Sequence, residues 1–290
     1  WSEAGINLIR CNSRDELDEV QSWGMYGWVS VPMILADDDD GSALKEQIES
    51  LKDHPALAVW EAPDEAIWNA VYSDGQRIPP RIWAQPPDVI QRAHTRLDAV
   101  VMGLERGVAI IRECDPNRRI WLNEAVLSSL DYLARCAPSV DIIGFDYYPA
   151  GLPDDNFTLP QQLMGKDIDR FLESAPGKEF WMVEQAFTFP DLSDSFSHYD
   201  RTYPSLEMFR FMAWQAIAHN ATGLLWWGSQ FVDRPNPMFG DLMTVVSEVD
   251  RVQGFLGLGP EPSVKGFAHH SWRPSIMGCR CDARRIGKRT

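Results

Sequence analysis

Basic charge is what this chain has least of. Its 27 Lys and Arg stand against 42 Asp and Glu, a formal net charge of −15 over 290 residues. Nucleic-acid binding needs a basic surface, so this balance argues against a polyanion partner. It suits a neutral substrate, and it equally suits plain solubility. No apolar run approaches the length of a membrane-spanning helix. The five cysteines (Cys11, Cys114, Cys136, Cys279 and Cys281) are scattered and odd in number. They make no disulfide framework, and Cys279-x-Cys281 lacks the second pair a zinc site needs. The six histidines are scattered too, with His269-His270 standing alone. No metal and no other cofactor is expected. The four-acid run Asp37 to Asp40 beside Gly41 lacks the spacing of an EF-hand loop and reads as a solvated loop.

What is present is enough apolar sequence for a large core, 44% of residues, and 12 Trp with 7 Tyr. The length fits one large domain, and α/β barrels reach it as a single unit. Flat aromatic faces stack on sugar rings, although most of these residues are expected to be core.

Periodicity and turn residues divide the chain into repeated strand-then-helix units. The expected strands are 5–10, 24–32, 57–61, 119–124, 140–149, 178–184 and 222–228. Helices are expected at 13–22, with a Ser13/Glu16 capping box, and at 43–52, 88–114, 127–136, 160–174, 205–219 and 238–256. Asn220 takes the slot of a left-handed helix cap. Segments 72–88, 150–160 and 187–204 read as long loops, the kind that carry function or move. Repeated β-then-α order implies parallel strands. Seven such units suggest a (β/α)8 barrel whose first strand precedes Trp1. An open doubly wound sheet competes, but no Gly-x-Gly-x-x-Gly follows any strand. Both ends read as cut, with any export signal lost at the front. The expected domains are a catalytic barrel over 1–260 and, from 261 to 290, the start of a β-rich C-terminal domain.

The chain is organised around His54 to Asn69, H-P-A-L-A-V-W-E-A-P-D-E-A-I-W-N. Its apolar strand runs straight into Glu61, Asp64 and Glu65. An acid beside apolar walls has its charged form disfavoured, which raises its pKa and makes a proton donor. The competing reading is that these acids cap the following helix, and on this stretch alone both stand. In barrels of this kind the active site lies at the C-terminal ends of the strands. Here those ends carry Arg10, Glu61/Asp64/Glu65, Asn123/Glu124, Asp146/Tyr148, Glu184 and Trp226/Trp227. Strand alternation puts Phe180, Met182 and Glu184 on one face, and sends Trp226 and Trp227 opposite ways. Two carboxylates facing one cavity are the minimum for glycoside hydrolysis, one protonating the leaving oxygen and the other attacking or activating water. Arg10 or Tyr148 is a candidate to keep the second one ionised.

These residues resemble a known family. Trp60-Glu-Ala-Pro-Asp-Glu65 is similar to the Trp-Glu-x-x-Asn-Glu-Pro segment ending the fourth strand of clan A glycoside hydrolases, the (β/α)8 retaining enzymes. Trp181-Met-Val-Glu184 resembles their seventh strand, which ends on the nucleophile. Ile9-Arg10 resembles the second-strand arginine, and Gly223-Leu-Leu-Trp-Trp227 the eighth strand, whose tryptophan floors the sugar site. The likeness spans roughly residues 5 to 230. It implies Glu65 as acid/base and Glu184 as nucleophile, with Arg10, Asp64, Asp146, Tyr148, Trp226 and Trp227 around a carbohydrate substrate. Asp64 stands where the clan usually has the Asn that binds the sugar 2-hydroxyl, and Ala66 where Pro is usual. Glu61 and Glu124 are the rival carboxylates. A non-catalytic sugar-binding barrel is the alternative. A lyase or aldolase barrel is disfavoured, because lysines are sparse at these strand ends.

Overall fold

A computed structural model of the chain describes residues 2–72, 86–151 and 161–256. Most of the first two expected loops, the expected domain from 261 and the Cys279/Cys281 and His269/His270 pairs lie outside these residues. Among the described residues the order is β1 (Leu8–Cys11), α1 (Arg14–Ser22), β2 (Tyr26–Ser30), α2 (Ser42–Leu51), β3 (Leu57–Glu61), α3 (Ala66–Tyr72) and α4 (Pro87–Cys114). Then come β4 (Arg119–Ala125), α5 (Leu130–Cys136), β5 (Ile142–Tyr147), α6 (Met164–Ser174) and β6 (Glu179–Gln185). The last elements are α7 (Phe189–Leu192), α8 (Leu206–Ala218), β7 (Ala221–Trp227) and α9 (Met238–Leu256). The strands form one seven-stranded sheet in chain order. The pairings β2–β3, β3–β4 and β6–β7 are parallel. This is the strand–helix repeat of a (β/α)8 fold, with seven strands.

Packing divides the chain into two compact units. One is Ile9–Phe145 with Arg170–Glu179; the other comprises the described residues of Trp1–Leu8, Asp146–Asp169 and Phe180–Thr290.

In the first unit, β3 is buried at every position but Ala58, so its neighbours must supply both apolar cover and partners for its ends. Trp60 donates its indole N–H to Asp115 at 3.0 Å. Arg118 donates to the same carboxylate at 2.6 Å and also reaches the Leu57 and Lys52 carbonyls. One guanidinium thus ties the entry of β3 to the end of α4. Close approach is made by glycine: a side chain on Gly27 would run into Leu17 and Cys11, and one on Gly107 into the Met33 carbonyl. In the second unit, Gly223 lies under the Trp181 indole. The Ser205 hydroxyl accepts from the Met208 N–H at 3.3 Å, opening α8. Asn220 closes that helix with φ at +70°, as its short polar side chain allows.

Two local expectations need correcting. Ser13 caps α1, accepting from the Glu16 N–H at 3.2 Å. Glu16, however, returns to the Asn12 N–H at 2.7 Å rather than to that of Ser13. Its side chain reaches one residue further back, where it also accepts from the Asn12 amide at 3.1 Å. A reciprocal box does form at Thr188 and Asp191, inside the segment expected to be loop. That segment holds α7 and a single 3-10 turn over Asp194–Phe196.

Gly107→Ala pits helix propensity against packing. Alanine favours a helix by about 1 kcal/mol over glycine, whereas overpacking costs about 1–3 kcal/mol. Because the clash is with backbone, packing wins, and the urea unfolding midpoint should fall. A raised midpoint would show that α4 can move off the Met33 carbonyl.

Candidate active site

Near the end of β3, three acids sit in different settings. Glu61 is the last residue of the strand and almost fully buried. The half-exposed Arg10 guanidinium lies 3.3 Å from its carboxylate. Burial raises the Glu61 pKa to about 7; Arg10 opposes that rise most, Asp64 adds to it, and Trp28 and Ser30 oppose it weakly. Trp28 meets Trp121 edge to face at 5.8 Å, so Glu61 has aromatic neighbours on both flanking strands.

Asp64 is exposed, and its carboxylate accepts from the Asn123 amide at 2.9 Å. Glu65 is half-buried and has φ of +50°, a left-handed backbone that a long side chain rarely adopts. Such a residue costs on the order of 1 kcal/mol and persists only when its surroundings hold it. Two backbone bonds do so: the Glu65 N–H donates to Asn123 at 3.1 Å, and the Glu65 carbonyl accepts from Asn69 at 2.8 Å. The second bond makes Glu65 the N-cap residue of α3.

The cap's side-chain role is taken by a different strand. Glu124, in β4 and fully buried, accepts from the Ile67 N–H at 2.9 Å and the Trp68 N–H at 3.3 Å. Ser128 donates to it at 2.8 Å. Burial raises the Glu124 pKa to about 8, against the pull of Ile67, Ser128 and Trp68, and Glu65 pushes it up further. The reading of the β3 acids as caps is therefore answered at these two N–H groups. They are satisfied by Glu124, whose signal in the sequence was only a strand ending in Asn-Glu with a serine four residues on.

The second unit holds the other half of the expected set. Glu184 is fully buried near the end of β6, and among the described residues neither carboxylate oxygen has a hydrogen-bond partner. Burial holds its pKa well above the usual range; the Trp226 indole, on the residue paired with it in β7, opposes the shift. Trp227 belongs to a separate cluster. It stacks on Tyr148 at 5.7 Å and 24°, and meets Phe187 at 5.2 Å and the exposed Phe231 at 5.6 Å. Tyr148 follows the end of β5, and Asp146 is half-buried near the end of that strand. Gln185, absent from the expected set, fixes this cluster. Its buried amide bonds the Ala150 N–H at 2.7 Å, the Ala150 carbonyl at 2.9 Å and the Phe187 carbonyl at 3.0 Å. Arg10 forms an ion pair with Glu61, and Tyr148 packs on the rings of Phe187 and Trp227.

Among the described residues no three His, Cys, Asp or Glu side chains converge as metal ligands would. Asp39 and Asp40 instead accept from the Gly41 and Ser42 N–H groups at 2.8 and 2.9 Å, turning the chain into α2. No helix among them is long and apolar enough to cross a membrane.

This fold is shared with a class of solved structures, the glycoside hydrolases. The chain is similar to a β-galactosidase from the psychrophilic Marinomonas ef1, with TM-score 0.61 and 15% identity over 88% of this chain and 57% of that one. A β-galactosidase from the haloarchaeon Halorubrum lacusprofundi matches with TM-score 0.54 and 15% identity, over 87% and 55%. Bacteroides uniformis β-glucuronidase 2 matches with TM-score 0.56 and 15% identity, over 78% and 27%. The chain thus spans little more than half of the two galactosidases and about a quarter of the glucuronidase. No protein-family model and no curated protein matches it by sequence.

The buried acids set a stability profile. Glu61 and Glu124 ionise near 4.5 when unfolded and near 7 and 8 when folded. As pH rises past 4.5, the unfolded chain releases protons that the folded chain keeps, so stability falls until the folded values are passed. Glu184 acts with the same sign. Carboxylates paired with arginine, such as Asp98 and Glu248, act on the acidic side of this window. Melting temperature should therefore decline from pH 5 to pH 8, and Glu61→Gln should flatten the part below about pH 7. A melting temperature that rises over this range would contradict the assignment.

Proposed function

We propose that this chain is the catalytic domain of a glycoside hydrolase that cleaves O-glycosidic bonds of an oligo- or polysaccharide with retention of configuration. The observation that carries the reading is Glu184. Burying a carboxyl group without hydrogen bonds is costly and does nothing for the fold. It is worthwhile where that group reacts.

In this reading Glu65 protonates the leaving oxygen and Glu184 attacks the anomeric carbon. Glu65 then acts as base toward the incoming water. Glu184 must lose its proton before it attacks. The Trp226 indole and the hydroxyls of a bound sugar are the donors that favour its charged form, which couples ionisation to binding. Asp64 accepts a hydrogen bond from a sugar hydroxyl but cannot donate one. Arg10 and Asp146 serve as polar contacts for sugar hydroxyls. The Tyr148–Trp227 pair offers an apolar face of the kind sugar rings stack on. Support from the comparisons is the shared fold and one further point. The B. uniformis glucuronidase was captured covalently bound to cyclophellitol-6-carboxylate aziridine, a strained ring that opens on attack by a nucleophile.

A second assignment exchanges the two roles. The high pKa of Glu184 favours it, since a proton donor needs its proton at working pH. Labelling separates the two. Galacto- and glucurono-configured cyclophellitol aziridines should attach to Glu184 in the intact chain, and the Glu184→Ala protein should stay unlabelled. Attachment to Glu65 would exchange the roles.

Hydrolysis of p-nitrophenyl β-D-galactoside and β-D-glucuronide, with a broader glycan panel behind them, should fall at least about 10²-fold in Glu65→Ala and in Glu184→Ala. Sugar binding by calorimetry should persist in both. Binding without turnover by the unaltered protein would favour the non-catalytic reading. In a crystal structure, carboxyl groups of Glu65 and Glu184 about 5–5.5 Å apart would fit retention, and about 6.5–9.5 Å inversion.

A further inference from the structure

An N-cap residue ordinarily satisfies the first N–H groups of its helix with its own side chain. Glu65 is the N-cap residue of α3, because its carbonyl accepts the first helical bond from Asn69. A glutamate there would have its carboxylate drawn toward the positive end of the helix. In this chain the Ile67 and Trp68 N–H groups are already occupied by Glu124, which arrives from β4 and is itself held by Ser128. The residue before Glu124 completes the arrangement. The Asn123 carbonyl accepts from the Glu65 N–H, and the Asn123 amide donates to Asp64. Five hydrogen bonds from two consecutive β4 residues and Ser128 thus fix the segment Asp64 to Trp68, in which Glu65 holds its left-handed φ of +50°.

We propose that Glu124 is a positioning residue for Glu65: by capping α3 from the neighbouring strand, it keeps the Glu65 carboxylate off the helix N-terminus and holds its backbone in the left-handed turn. The proposal rests on the glycosidase reading for its consequence, not for its geometry. With Glu124 removed, the free N–H groups of α3 recruit Glu65, and the acid is misdirected. The defect is then one of proton delivery. Substrates whose leaving group needs a proton suffer, and those that leave as stable anions do not.

The test uses the whole chain, unaltered and as Glu124→Ala, Glu124→Gln, Glu65→Ala and the double Glu65→Ala/Glu124→Ala variant. Two aryl glycosides of the sugar it turns over are compared, one with a phenyl and one with a 2,4-dinitrophenyl leaving group. In Glu124→Ala, kcat/KM on the phenyl glycoside should fall about 10- to 100-fold, as displacement of a catalytic group by about an ångström implies. For the dinitrophenyl glycoside kcat/KM, which reports the first step, should stay within about threefold, because that leaving group needs little general-acid assistance. Glu124→Gln keeps one carbonyl oxygen for a helix N–H and should recover part of the loss. The double variant should be no slower than Glu65→Ala, since the two act as one unit. Equal losses on both substrates, or additive losses in the double variant, would overturn the proposal by assigning Glu124 to general stability.

Hydrogen exchange at Ile67 and Trp68 reads the cap without any turnover. It should be at least about tenfold faster in Glu124→Ala, while core amides of β4 and β6 are unchanged. Unchanged exchange at these two residues would overturn the cap even in an active enzyme. An unaltered chain that hydrolyses nothing, with exchange accelerated as described, would instead refute the glycosidase reading and leave the cap standing.

Discussion

A parallel strand packed on both faces has no place for charge along its length, and the rest of this molecule depends on that constraint. Desolvating an unpaired carboxylate costs several kcal/mol, so acids are tolerated only where a strand runs out. The chain follows this closely. Ile142, Ile143 and Phe145 of β5 and Phe180 to Val183 of β6 are buried without a break, and Leu57, Val59 and Trp60 of β3 are buried too. The acids come at the last or next-to-last positions: Glu61 in β3, Glu124 in β4, Asp146 in β5 and Glu184 in β6. Chemistry collects at the strand ends because packing excludes it from everywhere else in the sheet.

Three buried carboxylates then meet one physical problem in three ways. Glu61 is offset by a cation, the half-exposed Arg10. Glu124 is offset by a helix N-terminus and a serine hydroxyl. Glu184 has the Trp226 indole beside it, and among the described residues neither of its oxygens is bonded. The least compensated group is the one most available for reaction. Residue type alone does not draw that distinction among the three; their surroundings do, and the proposed role of Glu184 is built on it.

Much of the framework was legible in the residues. Strand runs such as Lys178 to Glu184 are short, apolar and bounded by turn residues, and they appear within one or two positions. Ser205 and Asn220 mark the ends of α8 because their chemistry acts within a few residues of sequence. Mistakes arose where a side chain could choose between near-equal partners. Glu16 reaches Asn12 instead of Ser13, a difference of one residue. The aromatic pairing of Tyr148 with Trp227 escaped strand parity because Tyr148 lies just past the strand, and Gln185 was overlooked because its three bonds go to distant backbone.

By itself the sequence determined the alternation of strands and helices, the parallel order and the identity of the acids at the strand ends. Those follow from periodicity, turn chemistry and the exclusion of charge from buried strands, all of which act locally. Only the tertiary structure decided which acid serves which purpose. Whether the β3 acids or Glu124 capped α3 depended on a residue almost 60 positions away in the chain delivering its carboxylate to two N–H groups. The left-handed turn at Glu65 was invisible for the same reason: a strained backbone is held by contacts made after folding, and those contacts are not written in the neighbouring residues.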